Sequence, residues 1–375
     1  MNNFDIIVVG GGPAGLTSAY QLNKYGFNVL LVDKNTFPRP KLCAGLLTKK
    51  TRKLVNDIFS VTTSDLKEKE VVDFCSDYYQ IYFKDKLIYE NEMEDAFYYV
   101  HRRVYDNFLF NLVKNTGVKI KEGTEVRDID LFDSKVITKN GNEFKAEYII
   151  GADGANSVIR KKIIAKRDDI KFEDFKKNMA VSLEAIVPRS ELKLDFDHPI
   201  LYYGILNWGY GWIFPRKDSL VIGIAGLKKD NKNFKDIFKE YLDLIGIKNK
   251  DINYTGWQLP YGNFLKEPFY NNTLLVGDAA GLVEPLTGEG IYYAHHSGLL
   301  AAKAINKAEN YNRNLISTYK KSLDEEILLR LDRFKKLSKF FYGQPAFMQK
   351  FLLSLATKTA GNYLTDIIQE VKDDR

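Results

Sequence analysis

The chain carries two glycine-rich turns, at residues 10–15 and 277–281, that can hold a single ligand between them. The first, Val8-Val9-Gly10-Gly11-Gly12-Pro13-Ala14-Gly15, continues the apolar run Phe4–Val9. A nearly unbroken apolar run reads as a parallel strand buried on both faces. Behind the turn Leu16, Ala19, Tyr20 and Leu22 recur at helical spacing, and residues 28–33 form a second strand that ends in Asp33. The order strand, turn, helix, strand is a βαβ unit. Its glycines Gly10, Gly12 and Gly15 permit a tight turn and close approach of a phosphate to the backbone. The helix starting at Pro13-Ala14 presents unpaired N–H groups and a partial positive charge. Asp33 stands where it can accept hydrogen bonds from a ribose diol. The ligand is therefore expected to be a dinucleotide.

The second turn, Leu275-Val276-Gly277-Asp278-Ala279-Ala280-Gly281, follows another buried strand and places Asp278 to meet a ribityl chain. Downstream lies Glu284-Pro285-Leu286-Thr287-Gly288-Glu289-Gly290-Ile291, leading into a helix expected from about Gly290 to Asn306. Gly288 and Gly290 let backbone pass close to a flat ring. The N-terminus of that helix can face the pyrimidine side of an isoalloxazine, where a reduced flavin carries negative charge. A third element, Gly151-Ala152-Asp153-Gly154, closes a strand and is followed by Arg160. By itself it can be a plain turn; it resembles the Asp-Gly element of flavoprotein hydroxylases, which implies a place near the FAD pyrophosphate. Together the motifs point to FAD rather than NAD.

The 375 residues can bury a large core, and two closely joined domains are the natural expectation. The net charge of +6 is spread along the chain, and no basic motif of a nucleic-acid-binding fold is present. The only cysteines, Cys43 and Cys75, exclude a disulfide framework and a four-cysteine metal or iron–sulfur site, and favour a reducing, cytoplasmic setting. The four histidines show no metal-ligand arrangement, so no metal is expected. No signal peptide or membrane-spanning run is expected either.

Helical spacing appears at 103–115, with an irregular region from about 35 to 100 before it. Alternating apolar and polar positions over 178–226 read as an antiparallel sheet. Residues 314–341 read as one amphipathic helix with Leu315, Tyr319, Leu323, Ile327, Leu331, Phe334, Leu337 and Phe341 on its stripe, and 346–371 as another helix. The predicted class is α/β: a Rossmann-like dinucleotide domain assembled from 1–60, 98–165 and 266–310. A mostly antiparallel β substrate domain (61–97 and 166–265) is inserted in it, and a helical region (311–375) follows.

Three stretches resemble the geranylgeranyl reductase family within the hydroxylase-type FAD superfamily. Pro38-Arg39-Pro40-Lys41-Leu42-Cys43-Ala44-Gly45 is similar to the family's Pro-Arg…Lys-x-Cys-Gly-Gly segment, with Ala44 in place of the first glycine. Tyr210-Gly211-Trp212-Ile213-Phe214-Pro215 matches its Tyr-x-Trp-x-Phe-Pro motif, although the Gly-x-Gly that follows is altered to Gly223-Ile224-Ala225. The Gly277–Gly281 and Gly288–Ile291 stretches resemble its second FAD motif. The resemblance runs from residue 4 to about 306. It implies that Arg39, Lys41, Cys43, Ala44 and Gly45 lie along FAD, that Arg102 reaches the phosphate–ribityl region, and that Cys43 sits near the flavin's reactive face. As a bare residue, without the resemblance, Cys43 reads more often as a small buried side chain.

Trp208, Tyr210, Trp212 and Phe214 fall at period two, so they are expected on one strand face, either as sheet core or as an apolar wall above the ring. The implied activity is FAD-dependent reduction of carbon–carbon double bonds in an isoprenoid or other apolar substrate, with Cys43, Tyr210 and Trp212 as the catalytic candidates. An FAD monooxygenase acting on an aromatic or polyketide-like substrate is the alternative, and a flavin-bearing electron-transfer module is the next. The donor is NAD(P)H or a redox protein such as ferredoxin. The lysine- and phenylalanine-rich segment Phe334–Leu353 suits either packing on the body or contact with a membrane surface.

Overall fold

The computed structural model describes residues 4–192, 196–247 and 252–369, the stretch 358–369 by backbone alone. One sheet is built around the first strand, Phe4–Val9, which pairs in parallel with Val29–Val32 on one side and Glu143–Gly151 on the other. Thr273–Leu275 then adds to Glu143–Gly151, also in parallel, and Lys119–Lys121 extends the far edge. The registers matter more than the order. Val9 lies level with Val32 and Gly151, and Gly151 is level with Leu275. Four strands from three distant parts of the chain thus end on one line, and their carboxyl ends open on a common crevice.

Helices cover this sheet. Pro13–Lys24 and Ile291–Tyr311 pack on each other, and the Ser18 hydroxyl donates to the Ala14 carbonyl (2.9 Å) and the Gly298 carbonyl (3.1 Å). His295, fully buried in the second of these helices, shares hydrogen bonds with Thr17 Oγ1 through Nδ1 (2.7 Å) and with Tyr105 Oη through Nε2 (2.8 Å). One ring thereby ties three helices together, the third being Arg102–Lys114.

The second sheet runs in the order Thr255–Leu259, Ala180–Pro188, Ser219–Leu227, Gly209–Pro215, Ile200–Tyr203, Val72–Phe83, Lys86–Val100 and Leu46–Leu47. All its pairings are antiparallel except that of Ile200–Tyr203 with Val72–Phe83. Period-two alternation sorts its two faces. Leu183, Ala185, Ile213, Ile222 and Ile224 pack with Phe238, Tyr241 and Leu242 of the helix Phe234–Leu244. Glu184, Tyr203, Tyr210, Trp212 and Phe214 face the other way, toward the crevice of the first sheet. The architecture is the expected one: a discontinuous dinucleotide-binding part, an antiparallel β part and a helical C-terminal region. Leu46–Leu47 and the strand ending at Val100 both belong to the second sheet.

Three expectations change. The region from 35 to 100 is regular: it holds the helices Lys49–Phe59 and Thr63–Glu68 and a long hairpin, Val72–Phe83 with Lys86–Val100. Register shifts between Val72 and Phe74, Ser76 and Tyr78, and Ile81 and Tyr82 break the alternation that would have shown it. The helix expected at 314–341 is Leu315–Leu323 and Leu329–Tyr342 joined by a π turn over Asp324–Leu328. That wide turn advances the phase of the helix, so Ser338 is buried and Leu337 is exposed beyond it. Trp208 leaves the strand face: its φ of +51° places it before the strand, where it stacks on Tyr342 with ring centroids 5.8 Å apart. The last helix runs Ala346–Gln369, and positions 370–371 of its expected span lie outside the described residues.

Burial holds the His295 imidazole down to about 3, against 6.5 for a free one. Its contribution is therefore present above pH 6.5 and is lost as pH falls from there toward 3. His295→Ala should cost about 3 kcal/mol at neutral pH by leaving two buried hydroxyls and a cavity. It should also flatten the acid-side loss of stability. Urea unfolding across that pH range measures both, and an unchanged midpoint would contradict the assignment.

Candidate active site

Where the strand ends line up, a single cavity of about 590 Å³ runs from the first glycine turn to the aromatic face of the second sheet. Gly10, Gly12, Pro13, Ala14, Asp33, Asp153 and Gly154 line its first part, with Thr124 and Val126 beyond Asp33. Arg39, Lys41, Cys43, Ala44, Gly45, Arg102, Asp278, Gly288, Gly290 and Ile291 line its middle, and Tyr210 and Trp212 stand at the far end. Three expected residues lie behind the wall instead. Gly15 packs under Gly10, where a Cβ would come within 1.8 Å of the Gly10 carbonyl oxygen. Gly277 donates its N–H to Ser297 Oγ (2.9 Å), and Pro285 packs against Gly262. These residues shape the turns without facing the cavity.

Two helices begin on this cavity with no side chain capping them, one after Gly12 and one after Gly290. Their first-turn N–H groups form two separate positive poles. The first turn is closed by Asp33, whose Oδ2 accepts from Gly11 N (2.6 Å) and whose Oδ1 accepts from Asn35 N (2.8 Å). Gly10 has φ +106°, and a Cβ there would lie 2.3 Å from the Ala152 carbonyl oxygen, so only glycine fits.

Arg39 spans this turn. Its Nη2 donates to the Gly11 carbonyl (3.3 Å) and pairs with Asp106 Oδ2 (3.3 Å), while its buried Nε has no hydrogen-bond partner. Asp106 is completely buried and also accepts both arms of Arg102, at 2.8 and 3.0 Å. Sequence reasoning named the two arginines but not the carboxylate that holds them. Its signal was the spacing: Asp106 is one helical turn after Arg102.

Asp153 does more than turn the chain. Its Oδ2 accepts from Val158 N (2.7 Å) and Ile159 N (3.3 Å), starting the helix Val158–Ile164, while its buried Oδ1 has no partner. Burial pushes this carboxyl up. Arg160 then reaches across to donate to the carbonyls of Asp278 (3.0 Å), Ala279 (3.2 Å) and Ala155. This guanidinium, missed as a site residue, fastens the two distant motifs to each other.

The middle of the cavity is the loop Lys41–Gly45. Gly45 has φ +81°, and a Cβ there would lie 2.0 Å from the Val100 carbonyl oxygen, so the loop lies flat on the hairpin. Cys43 is half-buried, and its Sγ accepts from Gly45 N (3.4 Å). Lys41 is held below the usual ammonium range by burial, which the nearby Asp278 partly opposes, and its Nζ lies 4.5 Å from the Trp257 ring centre. Opposite, Lys50 Nζ pairs with Glu289 Oε2 (2.6 Å) and Thr48 Oγ1 donates to Glu289 Oε1 (2.8 Å), holding the Gly288–Gly290 loop.

The aromatic end is built by both strand systems. Tyr210 donates its hydroxyl to the Thr287 carbonyl, linking the wall to the Gly288 loop, and burial pushes this phenol well up. Phe97 and Tyr99 come from the hairpin that the sequence pattern hid. Among these rings, Tyr99 Oη and Trp212 Nε1 are buried without a partner. Glu184 and Glu284, both buried, are acids on this cavity. Among the described residues no cluster suited to a metal ion occurs.

Arg39 tests whether the first turn holds a phosphate. Removing its charge-assisted contacts in Arg39→Ala should weaken FAD binding by about 10- to 100-fold, with little change in melting temperature of the apoprotein. Fluorescence titration of apoprotein with FAD measures it, and an unchanged Kd would remove Arg39 from the site.

Comparisons with known proteins give the family. Residues 3–322 match the model of the FAD binding domain family. A geranylgeranyl diphosphate reductase of Rhodobacter capsulatus is 30% identical, over 80% of this chain and 74% of its own length. A digeranylgeranylglycerophospholipid reductase of Methanococcus vannielii is 28% identical, over 84% and 81% respectively. The fold is shared with a geranylgeranyl bacteriochlorophyll reductase-like protein of Thermoplasma acidophilum, at TM-score 0.77 and 22% identity, covering 98% of this chain and 92% of that one. With its two turns closing on one cavity, the chain belongs to the geranylgeranyl reductase family of FAD-dependent oxidoreductases.

Proposed function

We propose that the enzyme saturates carbon–carbon double bonds of an isoprenoid chain carried by a lipid. The observation that carries this reading is the continuity of the cavity: the cleft between the two helix starts opens directly into a chamber walled by Phe97, Tyr99, Leu201, Tyr210, Trp212 and Phe214. Such a wall suits an apolar chain and offers few groups to orient a polar substrate. The relatives' names support the same substrate class.

The polar groups of the cleft fit FAD. Arg39 Nε, 3.9 Å from Asp33 Oδ2, and Asp153 Oδ1 are buried without a hydrogen-bond partner, and the two uncapped helix starts lie at different points along the cleft. The turn at Gly12–Ala14, with Arg39, would hold the pyrophosphate, Asp33 the ribose and Asp278 the ribityl chain. Gly288–Ile291 would border the ring. When bound and reduced, FAD supplies a hydride; the protein's part is alignment, dryness and electrostatics. The helix start at Ile291 favours negative charge on the adjoining ring edge. Tyr210 fixes the distance between wall and loop. Cys43 stands where cleft and chamber meet.

The C-terminal hairpin supports a lipid-borne substrate. Phe341, Tyr342 and Leu353 pack on the aromatic chamber's core, while Phe340, Phe347 and Phe351 are exposed by 56, 72 and 58%. Between Asp332 and Asp366 the chain has basic residues and no acidic one. Exposed rings beside lysines suit an anionic membrane surface. No helix among the described residues is long and apolar enough to cross a membrane.

The test is anaerobic turnover of dithionite-reduced holoenzyme on polyprenyl lipid, read by mass spectrometry as a gain of two hydrogens per double bond. Saturation is the expected result. Trp212→Ala should lower it about 10-fold or more while FAD stays bound. Phe347→Ser/Phe351→Ser should slow turnover on substrate in anionic vesicles but not on detergent-dispersed substrate. Oxygen uptake matched by a hydroxylated product, with no saturation, would overturn the reading in favour of a monooxygenase.

A further inference from the structure

Two buried acids line the cavity beside the aromatic wall: Glu284 accepts from the Leu286 (2.8 Å) and Thr287 (2.6 Å) N–H groups of its own turn, whereas Glu184 comes from the sheet. The strand Ala180–Pro188 sends Leu183 and Ala185 to the helix-covered side and Ser182 and Glu184 to the cavity side. Glu184 is only 5% exposed. It lies cross-strand from Gly223, and a Cβ on Gly223 would lie 2.3 Å from the Trp212 ring, so Trp212 covers that position. Glu184 therefore shares a wall with Trp212, whose Nε1 is buried without a partner.

Two further groups meet the carboxyl. The Arg216 guanidinium and the Cys43 backbone N–H both favour its charged form, against burial. Arg216 is itself almost fully buried; its Nη2 donates to the Ala44 carbonyl (3.4 Å), while Nε and Nη1 have no hydrogen-bond partner. A buried carboxyl with a cation behind it and an apolar chamber in front is costly as decoration. Its arrangement suits a group that gives up a proton into the chamber and then faces a cation.

We propose that Glu184 is the proton donor of the reduction, delivering its proton to the alkene carbon that does not receive the hydride. The inference rests on the reduction reading above. In the step, the hydride from reduced FAD forms one C–H bond and FAD is oxidised by two electrons. The Glu184 O–H bond breaks and the second C–H bond forms with the electron pair of the double bond. Glu184 is left as a carboxylate facing Arg216 and recovers a proton from water between turnovers. Burial pushes this carboxyl up to about 7, opposed by Arg216 and by the Cys43 N–H, so the acid is substantially protonated at neutral pH. The charged and titratable groups around it are Arg216 and Cys43, with Asp73 and His101 behind Arg216.

The test compares Glu184→Gln and Glu184→Asp with the wild type. Wild-type apoprotein should show a protonated-carboxyl infrared band that disappears as pH rises through neutrality, and Glu184→Gln should lack it. Holoenzyme of Glu184→Gln should keep its FAD affinity and its rate of reduction by dithionite. It should saturate polyprenyl lipid about 100-fold more slowly, with the alkaline fall of the wild-type rate profile abolished. Glu184→Asp should recover part of the rate and that alkaline limb, which packing alone would not restore. A Glu184→Gln enzyme with wild-type turnover and pH profile would overturn the proposal alone. So would an infrared spectrum showing an ionised Glu184 at all pH values. A wild type that saturates no polyprenyl substrate would sink the reduction reading and the proposal together.

Discussion

The structure depends on the alignment of strand ends at one line across a parallel sheet. Val9, Val32, Gly151 and Leu275 are in register, so the turns that follow them all open on the same side. Such a crevice at the carboxyl ends of strands is where open α/β sheets bind ligands. Here it also decides where two uncapped helix starts point. Without the pairing of Thr273–Leu275 onto Glu143–Gly151, the Gly277–Gly290 segment would have no fixed relation to the Gly10 turn. Arg160 then fastens the join by holding the carbonyls of Asp278 and Ala279.

Around that line, charge and apolar surface are kept apart along one cavity. The end beside the first glycine turn gathers Arg39 and Arg102 on a single buried carboxylate, Asp106, which limits the cost of burying two guanidinium groups. The aromatic end keeps few polar atoms, among them the carboxyls of Glu184 and Glu284, Tyr99 Oη, Tyr210 Oη and Trp212 Nε1. The flat loop Lys41–Gly45 divides the two. A flavin lying across that loop would have its charged chain on the polar side and its ring against the dry side. Hydride chemistry benefits from that division, because exclusion of water protects the reduced ring and orients an apolar partner.

Much of the fold was legible because its signals are local. The strand Phe4–Val9, the turn at Gly10–Gly12 and the helix after Gly290 each carry their period and punctuation in a few residues. The aromatic face at Tyr210, Trp212 and Phe214 was legible for the same reason. What was hidden is non-local. The hairpin Val72–Phe83 and Lys86–Val100 loses its alternation at three register shifts, so Phe97 and Tyr99 could not be placed in the chamber. Trp208 kept period two in sequence but a positive φ takes it off the strand. Asp106 and Glu184 looked like ordinary charges; only burial shows one to be the counter-ion of two arginines and the other an acid in an apolar wall. Gly15, Gly277 and Pro285 carry motif positions, yet they serve packing behind the lining.

On the function proposed above, one continuous cavity holds FAD at the strand ends and a prenyl chain along the aromatic wall. A crystal structure of the holoenzyme with a saturated polyprenyl lipid would show both ligands. FAD is expected along Gly12, Arg39 and Asp278. The chain is expected against Tyr210, Trp212 and Phe214, with one of its carbons at the junction marked by Cys43 and Glu184. A prenyl chain bound elsewhere on the protein, with the aromatic chamber closed off from the flavin ring, would contradict it.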